Sequence, residues 1–145
     1  MKSDKLATSL WIHLAKCYGR ILQRVRRIES RAGLTLPQLD VLAQLLRHPN
    51  GMTAGELSRA LLVTAGNLTG IADRLEERRL VARKPHPEDG RVSILRLTAR
   101  GSRVARTEIA RHERALDPIF ASVKPRVRVR VRSALQHLWH ALEER

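Results

Sequence analysis

The sequence predicts a mainly α-helical chain carrying one small β-hairpin, an α+β arrangement in which helices dominate. Three observations predict it. Apolar residues recur at helical spacing over most of the 145 positions. Three helix starts between Leu34 and Leu68 are written in capping chemistry. One stretch, Val81–Leu97, switches to short runs rich in β-branched and aliphatic residues around a Pro/Gly/Asp loop.

The elements follow in order. Leu6, Leu10, Leu14, Cys17, Ile21, Val25 and Ile28 recur at gaps of 4, 4, 3, 4, 4 and 3, close to the period of a helix pressed along another helix. At ~1.5 Å per residue that seam runs roughly 34 Å. A small domain rarely hides so long a seam alone, which calls for a partner chain. Thr35 with Gln38 makes a capping box, stapled by Leu34 and Leu39. Thr53 with Glu56 makes a second, stapled by Met52 and Leu57, after a turn at Pro49-Asn50-Gly51. Thr64 is a third N-cap, with Asn67 where Glu or Gln would complete the box. Residues 53–60 and 64–78 are therefore two helices separated by a short turn, which is helix-turn-helix spacing.

Val81–Lys84 and Val92–Leu97 read as the strands of a hairpin with a long tip, Pro85–Arg91. Thr98 caps a helix carrying Val104, Ile109, Leu116 and Phe120, and Pro125 ends it and opens another. Arg126–Arg132 alternates with valine like a strand. Yet Val123, Val127, Val131, Leu135, Leu138 and Leu142 form a helical stripe that outlasts the alternation, so a helix is predicted.

Composition narrows the function. Lys and Arg number 28 against 14 Asp and Glu, a net charge of +14, and the pI is near 11.6. Such a balance points to a polyanionic partner, nucleic acid first. Aromatic residues make up only 3%, which argues against base stacking on an aromatic platform. A single cysteine excludes an internal disulfide and a Cys-rich zinc site. No apolar run approaches the ~18 residues of a membrane span, and the amino-terminal residues lack a signal-peptide core. A cytoplasmic, nucleoid-associated bacterial protein that does not enter membranes is expected. No Gly-rich phosphate loop, nucleophile–base pair or carboxylate dyad suggests an enzyme, and no cofactor is expected.

The stretch from Leu34 to Gly101 resembles the MarR family of bacterial transcription regulators. The matching text is LTLPQLDVLAQL, then TAGELSRALLVTAGNLTGIADRLEERRLVAR, then PEDGRVSILRLTARG. The resemblance implies a homodimeric winged helix-turn-helix repressor of one domain, 1–145. In that reading 1–33 and 118–145 are dimerisation helices, 34–101 is the DNA-binding lobe and 102–117 is a connecting helix. Residues 64–78 would enter the major groove and the hairpin tip the minor groove, with the family's Asp-x-Arg motif at Asp89-Gly90-Arg91. The sequence departs at Arg78-Arg79, where the family usually carries a Gly suited to a left-handed helix end.

On a helix over 64–78, Leu68, Ile71, Ala72 and Leu75 gather on the core side. The opposite side holds Gly66, Gly70, Asp73 and Glu77, flanked by Asn67, Thr69 and Arg74. Two glycines on an exposed helical face each cost roughly 1 kcal/mol against Ala. One reading is that they let the backbone sit deep in a groove, while Asn67 and Thr69 read base edges and Arg74 holds phosphate or guanine. The other is drift, or relief of packing against a neighbouring helix. Thr64 belongs to the same surface. In the hairpin, Arg91 suits a narrow minor groove, Asp89 would hold its guanidinium, and Arg83, Lys84 and His86 are expected phosphate contacts. The many arginines of the last two helices are assigned to a solvated face or a wider electrostatic footprint.

Leu6, Leu10 and Leu14, with Val131, Leu135, Leu138, Trp139 and Leu142, are the expected dimer interface, giving two-fold symmetry and a pseudo-palindromic double-stranded operator. The resemblance also implies a small, possibly aromatic-acid effector, for which Trp11, His13, Cys17, Tyr18 and Arg20 are candidates. Trp11 and Tyr18 equally suit interface packing. Two alternatives remain: a thiol-based redox switch through Cys17, which also fits an inert buried thiol, and a non-specific architectural DNA binder. His137, His140 and Glu144 could share a helix face, but no metal site is expected.

Overall fold

The computed structural model describes residues 2–61 and 63–143. Its order is α1 (Lys2–Val25), α2 (Leu36–Arg47), β1 (Met52–Thr53), α3 (Ala54–Leu61), α4 (Ala65–Glu77), β2 (Val81–Pro85), β3 (Ser93–Leu97), α5 (Ala99–Phe120) and α6 (Pro125–Glu143). The architecture is a mostly helical α+β fold of the winged-helix type. The chain falls into two compact units, one of Ile28–His112 and one of the residues up to Arg27 with those from Glu113 onward.

In the Ile28–His112 unit the capping chemistry sets the helix starts. Thr35 Oγ1 accepts the amide of Gln38 and Gln38 Oε1 accepts that of Thr35 (2.9 Å). The same reciprocity joins Thr53 and Glu56, whose Oε2 accepts the Thr53 amide at 2.7 Å. Leu42, Leu45, Leu57, Leu68, Leu75 and Leu95 are buried to 1–2% exposure or less and form one core beneath α2, α3, α4 and the sheet. Fully burying a leucine contributes about 1.5–3 kcal/mol, so this core holds the lobe.

The sheet has the order β1-β3-β2, all antiparallel. The hairpin register runs from Val81 opposite Leu97 to Pro85 opposite Ser93. The two-residue β1 lies outside the sequence reading. Gly51 makes it possible: its φ is +87°, and an added Cβ would sit 2.5 Å from the Leu95 carbonyl oxygen. Pairing of Met52 with Leu95 therefore requires glycine there.

The α4–β2 junction ends in a left-handed residue, Arg79 (φ +56°). The Leu80 amide donates to Leu75 O (2.9 Å) and the Arg79 amide to Glu76 O (2.8 Å), the paired bonds of a Schellman end. The geometry that glycine favours is thus kept with arginine. Beyond the turn, Thr98 Oγ1 donates to Arg79 O (2.8 Å) and accepts the Gly101 amide (2.9 Å).

Glu108 of α5 is buried and accepts from Ser30 Oγ (2.7 Å) and the Ala32 amide (3.2 Å). Arg78, at the end of α4, donates to the carbonyl oxygens of Ala32 and Gly33. Ala32 is thereby held through both its amide and its carbonyl oxygen.

The other unit is built from α1, the end of α5 and α6, and α6 has no buried residue. Arg126–Arg132 is helical, as the valine–leucine stripe predicts, with Pro125 in the first turn.

Candidate nucleic-acid interface

Thr64 caps α4 in extended backbone (ψ 152°), and its side chain accepts the Asn67 amide at 3.3 Å. Leu68, Ala72 and Leu75 anchor one side of the helix in the core, and Ile71 packs against it. This leaves Gly66, Asn67, Thr69, Gly70 and Arg74 exposed together. An added Cβ at Gly66 or Gly70 would meet nothing within 4 Å, which removes packing relief as the reason for glycine there. Thr69 Oγ1 donates back to Ala65 O (3.0 Å), an ordinary intrahelical bond.

The hairpin tip folds on its own hydrogen bonds. The His86 amide donates to Val92 O (2.8 Å) and the Val92 amide to Asp89 O (3.0 Å). His86 Nδ1 accepts the Glu88 amide at 3.2 Å. Asp89 takes a different role from the expected one. Its Oδ1 accepts the backbone amide of Arg91 at 3.0 Å, and no ion pair joins the two side chains among the described residues. The physical reason is reach: a carboxylate two residues upstream closes a local turn before it meets a long guanidinium. Arg91 is left exposed and, among the described residues, without an ion pair, while Lys84 is exposed on β2.

Arg83 is held elsewhere than expected. Its guanidinium forks between Asp73 Oδ1 (2.5 Å) and Glu76 Oε2, and its amide donates to Glu76 Oε1 (3.4 Å). Both carboxylates hold the already high pKa of Arg83 higher still, Asp73 foremost. Asp73 and Glu76, three apart on one helix face, could signal a shared cation, though nothing local in the sequence names Arg83 as that cation. Arg83, Arg91, Arg59 and Thr69 line one hollow of about 740 Å³ between α4, the start of α3 and the hairpin.

In the other unit a groove of about 1050 Å³ runs between α1, the last turn of α5 and α6. His13, Cys17 and Arg20 line it, with Leu10, Leu14, Val131, Leu135 and Trp139. Trp11 and Tyr18 lie outside it, 70% and 67% exposed. Leu6 and Leu142 are open as well, and Leu138 is half-buried. His140 Nδ1 stands 3.7 Å from Glu143, and Glu144 lies outside the described residues. Among those described, no three His, Cys, Asp or Glu side chains cluster as metal ligands, and no helix is long and apolar enough to cross a membrane.

Residues 32–92 match the model of the MarR family. The chain is 35% identical over 102 residues to the transcriptional activatory protein BadR of Rhodopseudomonas palustris, covering 69% of this chain and 58% of BadR. It is 33% identical over 102 residues to the transcriptional repressor MdtR of Bacillus subtilis, covering 70% of this chain and 65% of MdtR. The match thus spans about three fifths of the length of these relatives. Among solved structures, a MarR family transcriptional regulator from Silicibacter pomeroyi superposes with TM-score 0.81, 27% identity and coverage of 98% and 99% of the two chains. CouR from Rhodococcus jostii, solved bound to p-coumaroyl-CoA, superposes with TM-score 0.77, 25% identity and coverage of 92% and 93%.

Proposed function

Since this chain belongs to the MarR family, we propose that it is a sequence-specific regulator of transcription, a homodimeric repressor that releases a pseudo-palindromic operator when a small ligand binds. One observation carries the reading. The outward face of α4 is cleared of side chains at Gly66 and Gly70, whose positions face open space, beside an exposed Arg91. A bare helical ridge costs local stability, and close approach to a base-pair edge recovers it. Asn67 and Arg74 then read or grip the major groove, and Arg91 enters the adjacent minor groove.

Dimerisation is supported by α1 and α6. Nineteen residues of α6 carry an apolar stripe with none of them buried, and exposed apolar faces of that extent mark interaction surfaces. Two-fold symmetry sets two copies of α4 about one DNA turn, ~34 Å, apart. Ligand release follows as a population shift: a ligand that binds another α4 separation better lowers the share of dimers that fit DNA. The groove of His13, Cys17 and Arg20, apolar with cations at its edge, suits a lipophilic anion such as an aromatic acid.

Selection from a pool of randomised duplexes tests this. The expected product is a short palindrome with half-sites one turn apart, bound far more tightly than a scrambled duplex at physiological salt. Equal grip on both, or a strictly monomeric protein, sinks the proposal and favours charge-driven architectural binding. Gly70→Ala is expected to weaken the selected duplex while leaving the fold intact. A thermal-shift screen of small aromatic acids, with release assays on any hit, addresses the effector. Normal induced release by Cys17→Ser removes the thiol switch.

A further inference from the structure

Three bonds tie the DNA-reading helix to the hairpin beside it, and all of them end on one residue. Arg83, third in β2, forks its guanidinium across Asp73 and Glu76 of α4, and its own amide completes the set on Glu76. Among the described residues, no other side-chain hydrogen bond joins α4 to the hairpin. A forked guanidinium fixes direction as well as distance, because its donors lie in one plane. A lysine in its place is a point charge and fixes only distance.

The position of this fork matters for anything approaching α4. Asp73 and Glu76 are half-exposed carboxylates on the helix that would lie against polyphosphate. Unpaired, they would repel it. Paired, they share one cation that offsets half of their charge and is itself occupied, with both terminal nitrogens engaged. Arg91 lies beyond the fork on the same hairpin, and Arg83 and Arg91 share the lining of one hollow.

We propose that Arg83 is a positioning residue of the DNA interface: by clamping β2 to Asp73 and Glu76 it sets the angle between α4 and the hairpin tip, so that Arg91 reaches the minor groove while α4 occupies the major groove. It does not serve as a phosphate contact. The proposal rests on the DNA-binding reading above and assigns how two separate contacts are held in register.

Charge alone and the clamp predict opposite signs for one variant. Asp73→Asn combined with Glu76→Gln is nearly isosteric, and exposed ion pairs contribute little to folding, so the variant is expected to fold, as a thermal melt will check. Removing two negative charges beside DNA strengthens binding to any duplex if charge decides. If the clamp decides, affinity for the selected palindrome falls about five- to tenfold, less than for loss of a direct base contact, while affinity for a scrambled duplex holds or rises. In addition, Arg91→Ala costs less in this background than in the wild type, because the tip is no longer aimed; contacts that act through one geometry are non-additive. Arg83→Gln likewise lowers affinity for the palindrome and the cost of Arg91→Ala, but it leaves both carboxylates unpaired and so also lowers affinity for the scrambled duplex; Arg83→Lys falls between it and wild type. The proposal is overturned if the Asn/Gln variant binds the palindrome as well as wild type, or if Arg91→Ala costs the same in both backgrounds. A wild-type protein with no preference between the two duplexes fails the DNA-binding reading itself, which the unmodified protein reveals before any variant is made.

Discussion

Gly101→Ala is expected to be the most damaging single-methyl change in the chain. A Cβ built there lies 1.8 Å from the carbonyl oxygen of Leu80, 2.8 Å from its carbonyl carbon and 3.2 Å from its Cα. Real Cβ atoms stay beyond 3.0 Å, so backbone must retreat by more than 1 Å, and no flexible side chain stands there to yield. The retreat opens α5 from the α4–β2 turn. It strains the bonds that hold this corner: the Thr98 amide to Leu80 O (3.1 Å) and the Thr98 hydroxyl to Arg79 O (2.8 Å), which reach the turn, and the Gly101 amide to Thr98 Oγ1 (2.9 Å), which caps α5. Three such bonds are together worth about 3 kcal/mol, and overpacking adds about 1–3 kcal/mol. Better helix propensity returns about 1 kcal/mol. The net loss is about 3–5 kcal/mol, a large part of an ordinary domain's stability. Urea unfolding followed by circular dichroism measures it, with Gly70→Ala as the control. The same methyl meets nothing at Gly70 and is expected to stabilise by up to ~1 kcal/mol. If the two variants unfold at the same urea concentration, the steric argument is wrong.

Other substitutions test other joints. Arg79→Gly relieves a left-handed residue (φ +56°) and should stabilise by about 1 kcal/mol, read as a higher urea midpoint. Glu108→Ala leaves Ser30 Oγ and the Ala32 amide without their partner in a partly buried place and should cost about 1–3 kcal/mol in the same assay. Glu56 has its pKa lowered, first by the Thr53 amide and then by the Thr53 hydroxyl. A depressed carboxylate contributes stability that is complete above its unfolded pKa and is lost as pH falls through the folded one. Glu56→Gln should therefore flatten the acid limb of the stability–pH curve and leave its alkaline limb alone.

Much of the lobe was legible because its signals are local. Thr35–Gln38 and Thr53–Glu56 carry their own partners three residues away, and both boxes form. The valine–arginine alternation of 126–132 resolved to helix because the apolar stripe extends to Leu142. What escaped depended on long-range geometry. Two residues at Met52–Thr53 are too few to show a period, and they become a strand only through Leu95 and Ile94. Asp89 and Arg91 were paired by charge, whereas a turn of two residues favours the amide. Arg83 carried the charge expected of a phosphate contact, and its carboxylate partners seven and ten positions upstream were hidden by the α4–β2 turn. Glu108 gave no sign at all, since its partners lie more than 70 positions away.

The doubly held residue Ala32 has a mechanical meaning. Its amide hydrogen belongs to α5 through Glu108 and its carbonyl oxygen to the tail of α4 through Arg78. The two groups lie in neighbouring peptide planes that meet at the Ala32 Cα, so the two bonds together fix the backbone torsions of this one residue. One residue is thus pinned to two levers, and swinging either lever alone strains the bond at the other. Within this lobe, the tail of α4 and the middle of α5 are coupled through a single residue.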